Sequence, residues 1–383
     1  MKSILIQLHV QSNTGFAIGP LEAAFFSMAL ELTGGDAKRI HFAYPTMARG
    51  PSDTLPADFS QYVVTDARTE DPAACRRAGD YVANHGIDTI FGFDQPVRRP
   101  IYRAWRDAGV KHFVSYWGGP MSSINGILKR TLKRIDVALS PTGPDHYIFE
   151  SHGMAEAAVL GRGVPRSRTT VVRLGVDTDR YRPENKDARY IFDHLRLPPG
   201  KRVFFYSGHM HSIKGVDVLM RAANTLAEFR EADDWRVALF GNRNGDEQEY
   251  VNMLSAKAKP RVVFGGYRSD LNMMHRGSYA GVIASTGWDS LALSGVEMQS
   301  SGLPLIASNI RGLQESVVPG MTGMLFPPGD HAALAAAMAA MLNDPATRDR
   351  LALQARARIE KEFSTAAQVR NLVQVMRGVL SRN

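Results

Sequence analysis

The sequence contains a single cysteine, Cys75, among its 383 residues. One cysteine excludes an internal disulfide framework and a metal site made of cysteines alone, and it fits a reducing compartment. The sequence also lacks a run of about 18 apolar residues, the length that a helix needs to cross a bilayer. The opening segment MKSILIQLHVQ predicts a buried strand and not a signal peptide, because its apolar run breaks at His9 and Gln11. We therefore expect a cytoplasmic protein, which could still lie on the inner face of the plasma membrane.

No low-complexity tract or short repeat is present, and the length predicts two domains at roughly 100–200 residues each. The composition, 44% hydrophobic and 22% charged, is typical of soluble globular proteins. The net charge of +8 favours an anionic partner such as nucleic acid, anionic lipid or phosphorylated sugars. Charge alone leaves these partners open, together with a basic surface that has no specific partner.

Short β-branched or aromatic runs alternate with helical stretches along the whole chain. The predicted strands are SILIQLHV, RIHFAYP, DTIFGF, HFVSYW and DVALS in the first half, and RVFFYSG, RVALFG, RVVFGG, AGVIAS, LPLIAS and GMLF in the second. This alternation predicts an α/β protein whose parallel sheets are covered by helices on both faces. We predict an N-terminal domain over residues 1–178, a linker over 179–200, a C-terminal domain over 201–365 and a C-terminal helix over 366–383 that packs back toward the first domain. A ligand is expected in the cleft at the carboxyl ends of the strands.

The first predicted helix follows a glycine-containing turn. We expect Gly15 and Gly19 in the loop, Pro20 at the first helical position, and Leu21 and Phe25 on the apolar face. Such a turn could let a ligand approach the backbone, and a tight packing turn is an equally good explanation.

The second half contains a lysine and two acids in positions that suit a sugar nucleotide. Gly208 ends a predicted strand, His209 sits in the following turn, and Lys214 opens a helix, where it could neutralise a diphosphate. Asp289 and Glu297 could share one helix face and bind sugar or ribose hydroxyls, although Asp289 could also lie in the loop. The alternatives are a solvated Lys214 and a helix-capping Asp289. An unpaired Glu297 in its apolar segment would be costly.

Taken in order, these motifs resemble the family-four retaining glycosyltransferases of GT-B fold (glycosyl transferases group 1). GHMHSIKG is similar to that family's turn, in which a glycine and a basic residue precede a lysine and a glycine, and D-SLALSGV-E before SSGLPLIAS is similar to its acidic pair. VVRLGVDTDRYRP, RGLQESV and TGMLFPPGD are further similar landmarks. The resemblance implies two Rossmann-like domains with parallel sheets facing across a cleft, no cofactor and no metal.

The resemblance also implies roles for individual residues. Lys214, His209 and Asp289 would be the catalytic residues. Lys214 and His209 would contact the donor diphosphate, Asp289 the donor sugar and Glu297 the nucleotide ribose. The implied donor-binding set further includes Gly208, Ser290, Leu291, Ala292, Leu293 and, in the first domain, Gly19. The family usually has arginine at the position of His209, glutamate at Asp289 and histidine near Trp117. We expect the identity of the donor to depend on these departures.

The implied activity moves a sugar from a nucleotide-diphosphate sugar to a saccharide or lipid-linked saccharide, with retention, in bacterial polysaccharide, lipopolysaccharide or glycolipid synthesis. The departing phosphate would itself take the acceptor proton, so no protein nucleophile is assigned. Trp117, Gly118 and Arg98 are candidate acceptor-binding residues in the first half.

The segment SSINGILKRTLKRID predicts a basic amphipathic helix. Its apolar stripe is Ile124, Leu128, Leu132 and Ile135, and its basic stripe is Lys129, Arg130, Lys133 and Arg134. Such a helix suits an anionic membrane surface. An ordinary surface helix with a solvated basic face remains an alternative.

Three other functions stay open from the sequence. One is a nucleotide-sugar epimerase of GT-B layout, another is a basic nucleic-acid-binding protein, and the third is a paralogue that binds a nucleotide sugar without turnover. The basic clusters are short and match no nucleic-acid-binding motif, so we expect no nucleic-acid partner.

Overall fold

The computed structural model describes residues 1–184, 188–243, 245–287 and 289–382, and of Phe16 and Ala17 it describes the backbone alone. The chain divides into two compact units. The first unit comprises Met1–Gly175 and Thr365–Asn383, and the second comprises Val176–Ser364. Within the described residues, no helix is both long enough and apolar enough to cross a membrane.

The first unit contains a parallel seven-stranded sheet in the order β3-β2-β1-β4-β5-β6-β7. Its strands are β1 Ser3–Gln7, β2 Ile40–Tyr44, β3 Tyr62–Val64, β4 Ile87–Phe93, β5 His112–Trp117, β6 His146–Phe149 and β7 Thr169–Val171. Its helices are α1 Gly15–Leu32, α2 Pro72–Asn84, α3 Ile101–Asp107, α4 Ile127–Ala138, α5 His152–Ala157 and, after the second unit, α14 Thr365–Leu380. The strand order reverses between β1 and β4, which is the Rossmann-like switch point.

The second unit repeats this plan with a parallel six-stranded sheet in the order β10-β9-β8-β11-β12-β13. Its strands are β8 Arg202–Ser207, β9 Trp235–Phe240, β10 Val262–Phe264, β11 Ala280–Ile283, β12 Leu305–Ser308 and β13 Gly323–Phe326. Its helices are α6 Tyr190–Leu195, α7 Val216–Phe229, α8 Gln248–Asn252, α9 Leu271–His275, α10 Leu293–Ser300, α11 Leu313–Ser316, α12 His331–Asn343 and α13 Pro345–Glu362. The predicted fold class, two Rossmann-like α/β domains with parallel sheets, is confirmed.

Burial explains why the apolar runs of the sequence became strands. The strands SILIQ and IHFAY are buried along their whole length, as expected for parallel strands covered on both faces. In the second unit, Phe204 and Trp235 lie in one apolar cluster with α7 and α12, while Phe205 and Phe240 lie in another beneath α6 and α10. The two clusters lie on opposite faces of the second sheet because neighbouring strand residues point to opposite sides.

The segment predicted to be a linker packs on the second unit instead. The guanidinium of Arg356 donates hydrogen bonds to the carbonyl oxygens of Thr178 and Tyr181, and Ser300 Oγ donates to the carbonyl of Tyr181. Farther along, α6 contributes the fully buried Ile191. Residues 185–187 of the expected linker lie outside the described residues. These contacts make the segment part of the second unit, which begins at Val176.

The C-terminal helix α14 belongs to the first unit, where it packs against α1 and β5. Gln368 anchors it, because its side-chain oxygen accepts from the amide of Gly175 and its amide nitrogen donates to the Tyr116 hydroxyl.

Three local expectations were wrong. DVALS was predicted as a strand, but residues 136–138 end α4, and the strand at that place in the sheet is the later β6. The strands β3 and β7, three residues each and half-buried or exposed, were not predicted. The first helix begins at Gly15, so Pro20 lies inside it and not at its first position.

Candidate active site

A lysine and a buried carboxylate meet in the second unit after β8 and β11. Lys214 Nζ donates a hydrogen bond of 2.9 Å to Asp289 Oδ2, and Ser285 Oγ donates to the same oxygen at 2.9 Å. Asp289 is only 6% exposed, whereas the Lys214 side chain is 30% exposed. The carboxylate is therefore satisfied inside the protein, and the ammonium keeps an accessible side that could meet an anion.

Two glycines allow the backbone on either side of this pair to approach closely. Gly215 has a φ of +68°, and a Cβ there would lie 1.8 Å from the Ala284 carbonyl oxygen. A Cβ on Gly312 would lie 1.9 Å from the Ser290 carbonyl oxygen. Because no side chain fits at either position, the Lys214 turn and the Asp289 loop are fixed by contacts that only glycine permits.

Asp289 lies in the loop before α10, so it does not share a helix with Glu297. The helix starts at Leu293, and its first residue is preceded by Ala292, which has a φ of 53° and a ψ of 90°. A left-handed φ is strained for alanine, and such strain is concentrated at binding and catalytic sites. The first amides of a helix have no partner within the helix, so the start of α10 also favours an anion.

Glu297 is half-buried on α10, where burial raises the pKa of its carboxyl group to about 7. The Tyr181 hydroxyl donates a hydrogen bond to this carboxyl and Arg180 lies nearby, and both act to lower the pKa without offsetting the burial. The group is thus a hydrogen-bond acceptor whose charge changes near neutral pH.

His209 and Gly208 lie at the carboxyl end of β8, near the Lys214 turn. The His209 side chain is exposed, and its carbonyl oxygen accepts a hydrogen bond from the Tyr206 hydroxyl at 3.1 Å. Gly208 donates its amide to the Phe240 carbonyl at 3.0 Å. The predicted donor-binding residues Ser290, Leu291, Ala292 and Leu293 lie in the Asp289 loop and at the start of α10. Leu291 is fully buried, so its side chain packs inside the unit.

Gly19 has a packing role in the first unit. It lies within α1, and a Cβ there would come within 2.7 Å of the Thr54 methyl group. Nearby, the buried carboxylate of Glu22 accepts hydrogen bonds from the hydroxyls of Ser52 and Thr54. The loop that carries Thr54 comes too close to leave room for a side chain at position 19. This agrees with the interpretation of Gly19 as a packing residue.

A histidine and an aspartate that the sequence did not mark as site residues meet at the carboxyl ends of two central strands of the first sheet. His9 follows β1 and Asp94 follows β4, and their nearest side-chain atoms, Nε2 and Oδ2, are 3.7 Å apart. Asp94 has a φ of 52°, and its Oδ1 accepts the Gly118 amide at 2.9 Å. Burial raises the pKa of the Asp94 carboxyl to about 6, and burial lowers the pKa of His9. The position of both residues just after parallel strands was the available signal.

The three residues expected to bind an acceptor do not all meet. Trp117 ends β5 beside Gly118, and its indole Nε1 is buried without a hydrogen-bond partner in the described part of the chain. Arg98 instead secures the end of α4, since its guanidinium donates to Ser140 Oγ and to the Leu139 carbonyl. The structure therefore groups Trp117 and Gly118 with Asp94 and gives Arg98 a structural role.

Within the residues that the structure describes, no group of three or more histidine, cysteine, aspartate or glutamate side chains is placed to hold a metal ion.

Comparison with known proteins shows a family model that matches most of the second unit. Residues 187–358 match the model of the glycosyl transferases group 1. Among curated relatives, a D-inositol 3-phosphate glycosyltransferase of Nocardia farcinica is 31% identical over 195 residues, which are 49% of this chain and 42% of that protein. A glycogen synthase of Mycobacterium tuberculosis is 30% identical over 247 residues, 63% of this chain and 55% of that protein. The chain thus spans about half the length of the curated relatives it matches.

Solved structures extend the likeness over both units. A glycosyltransferase from Rickettsia africae has a TM-score of 0.80 at 15% identity and covers 100% of both chains. The Anabaena protein HepE, solved in complex with UDP, has a TM-score of 0.75 at 18% identity and covers 98% of this chain and 100% of that one. At these identities the likeness shows the fold, and it agrees with the GT-B class predicted from the sequence.

Proposed function

We propose that this protein is a glycosyltransferase that transfers a sugar from a nucleotide-diphosphate sugar to a saccharide or lipid-linked saccharide acceptor, with retention of the anomeric configuration. The observation that carries the proposal is the Lys214–Asp289 pair, set beside the start of α10 in a unit of the glycosyl transferases group 1. A fixed cation and helix-start amides suit a diphosphate, and neighbouring carboxylates suit sugar and ribose hydroxyls.

In this proposal, Lys214, His209 and the α10 amides stabilise the charge that grows on the departing diphosphate. Stabilising developing charge with prearranged donors is commonly the largest single contribution to catalysis. Asp289 both orients Lys214 and contacts the donor sugar, and Glu297 accepts hydrogen bonds from the ribose. The leaving phosphate takes the acceptor proton on the same face of the sugar, so neither a protein nucleophile nor a metal ion is required.

The first unit is proposed to bind the acceptor. Asp94 offers acceptor oxygens at the carboxyl ends of the strands, and His9 offers Nε2 as a further acceptor because its Nδ1–H donates to the Phe93 carbonyl oxygen; Trp117 adds an aromatic face. Such groups suit a sugar, which presents hydroxyls and apolar C–H faces. A lipid-linked sugar would be used in polysaccharide, lipopolysaccharide or glycolipid synthesis at the cytoplasmic face of a membrane.

A thermal-shift screen against UDP-, GDP-, ADP- and dTDP-sugars tests the donor proposal. A ligand present at about 100 times its dissociation constant adds about 2.7 kcal/mol to the free energy of unfolding. One nucleotide class should raise the melting temperature, and Glu297→Ala and Lys214→Ala should each weaken its binding at least about tenfold, since each removes a charged hydrogen bond. Full affinity in both variants would refute the site. Donor binding without turnover on any acceptor would indicate a catalytically silent paralogue.

A further inference from the structure

Helix α4 turns its apolar face away from the protein. Val137 is its one buried residue, at 3% exposure, whereas Leu128, Leu132 and Ile135 are 78%, 61% and 51% exposed. At about 100° per residue these three lie together on one side of the helix, and Val137 lies on the other. A surface helix of a globular protein has the opposite arrangement, with its apolar stripe toward the core.

These side chains belong to one segment, formed by α4 and the residues next to its two ends, and Ile124 lies before the first residue of the helix. Six of the twelve large apolar residues that are exposed in the described part of the chain lie in this single segment. We call them the α4 patch: Ile124, Ile127, Leu128, Leu132, Ile135 and Leu139. A cluster of this kind marks an interaction surface, because scattered exposed apolar residues are common and contiguous ones are not.

Polar contacts hold α4 in this orientation. Asp136 forms ion pairs with Arg98, at 3.0 Å, and with Arg162. On the same side, Lys133 Nζ donates a hydrogen bond to Ser122 Oγ at 3.0 Å. Rotating the helix to bury its apolar stripe would break these contacts, so the outward apolar face belongs to the packing of the unit.

The charges beside the α4 patch identify the partner that it fits. Lys129 and Arg134 are exposed and lie on opposite flanks of the apolar face. The one acidic residue of α4, Asp136, is already paired with two arginines. We propose that the α4 patch inserts into the surface of an anionic lipid bilayer, with Lys129 and Arg134 among the headgroups. An anionic bilayer offers an apolar layer to the α4 patch and negative headgroups to Lys129 and Arg134. A protein partner would need an apolar surface bordered by acidic groups to match the same two features.

The proposal rests on the proposed function in one respect, namely that a lipid-linked acceptor is expected at the same membrane. Vesicle binding itself needs neither donor nor acceptor. It is tested by sedimentation of the protein with vesicles of phosphatidylcholine alone or of equal parts phosphatidylcholine and phosphatidylglycerol. The wild type should bind the mixed vesicles much more tightly than the neutral ones.

Removing the apolar face tests the insertion. The triple variant Leu128→Ser, Leu132→Ser, Ile135→Ser should bind mixed vesicles at least about a hundredfold more weakly, because three buried aliphatic groups are lost. The matched control is Leu353→Ser on α13, which is 76% exposed and should bind as the wild type does. Unchanged binding of the triple variant would overturn the proposal. A large fall in its melting temperature would do the same, since it would place these side chains in internal packing.

Removing the charges tests the choice of lipid. Lys129→Gln with Arg134→Gln should weaken binding to the mixed vesicles about thirtyfold, at about one kilocalorie per mole for each cation, and leave weak binding to neutral vesicles unchanged. The control pair is Arg76→Gln with Arg77→Gln on α2. Equal effects of the two pairs would refute a specific role for α4. Loss of a wild-type dimer in the triple variant, without any vesicle binding, would show that a second copy covers the patch.

Donor affinity in the same variants separates the two proposals. The α4 variants should keep the thermal shift given by the preferred nucleotide sugar. If the wild type binds vesicles through α4 but responds to no nucleotide sugar, the proposed function fails and the membrane surface stands.

Discussion

Binding of the donor should strengthen as the pH rises through neutrality, because Glu297 changes its charge there. Burial raises the pKa of this carboxyl to about 7, whereas an unperturbed glutamate has a pKa of about 4.3 and stays ionised throughout this range. Below the raised pKa the folded protein holds Glu297 neutral, and above it Glu297 is a carboxylate. The carboxylate can accept hydrogen bonds from ribose hydroxyls at both of its oxygens, whereas one oxygen of the neutral carboxyl carries a proton.

The magnitude follows from the pKa. If the donor binds only the ionised form, the dissociation constant is multiplied by one plus the ratio of protonated to ionised carboxyl. That ratio is about ten at one pH unit below the pKa and about one tenth at one unit above it. The dissociation constant should therefore be about tenfold higher at pH 6 than at pH 8.

Isothermal titration calorimetry with the preferred nucleotide sugar measures this dependence. A nucleotide sugar is preferable to a free nucleoside diphosphate, because a terminal phosphate itself titrates at a pH of about 6. Glu297→Gln should bind weakly and show no slope between pH 6 and 8, while His209→Gln should keep the slope. A wild-type affinity that is flat with pH, or a slope that persists in Glu297→Gln, would exclude Glu297 as the group whose ionisation controls donor binding.

Three further predictions concern other parts of the two sites. Lys214→Met should leave the carboxylate of Asp289 without its cation and lower the free energy of unfolding by about 2 kcal/mol, as measured by urea denaturation. Gly215→Ala should cost at least about 3 kcal/mol, because it adds a clash with the Ala284 carbonyl to an unfavourable φ, whereas Gly200→Ala, which has open space, should cost only about 1 kcal/mol. Equal losses in the two glycine variants would contradict the close approach. Asp94→Asn should raise the KM for the acceptor about tenfold or more and leave donor affinity unchanged, since it removes a charged hydrogen-bond acceptor from the first unit. A change confined to donor binding would contradict a role for Asp94 in binding the acceptor.

The placement of the candidate donor-site residues was largely predictable from the sequence, and the geometry among them was not. Strand-ending glycines and the spacing of Lys214, Asp289 and Glu297 placed these residues after neighbouring parallel strands. The sequence could not place Asp289 in the loop, because helical spacing looks the same whether a helix begins before or after that residue. The ion pair with Lys214 depends on the close approach at Gly215, which is a tertiary contact.

The first unit contains features that could not be predicted from the sequence, and each has a physical reason. Periodicity identified the apolar and basic stripes of α4, but it cannot tell which stripe faces the protein; the contacts of Asp136 with Arg98 and Arg162 decide that. DVALS resembled a strand because its apolar residues alternate. Alternation over so few residues is a weak signal, and the helical period of α4 continues into this segment. His9 and Asp94 come together from distant segments, and neither has a local motif around it.

Proton NMR of one reaction containing the nucleotide sugar and an acceptor shows directly whether this protein transfers the sugar with retention. The donor should be consumed in step with the formation of a glycoside whose anomeric coupling constant matches that of the donor sugar. Wild-type protein should give this product and Lys214→Ala should not. A product with the opposite anomeric configuration would contradict retention, and an epimerised free sugar formed without acceptor would contradict glycosyl transfer itself.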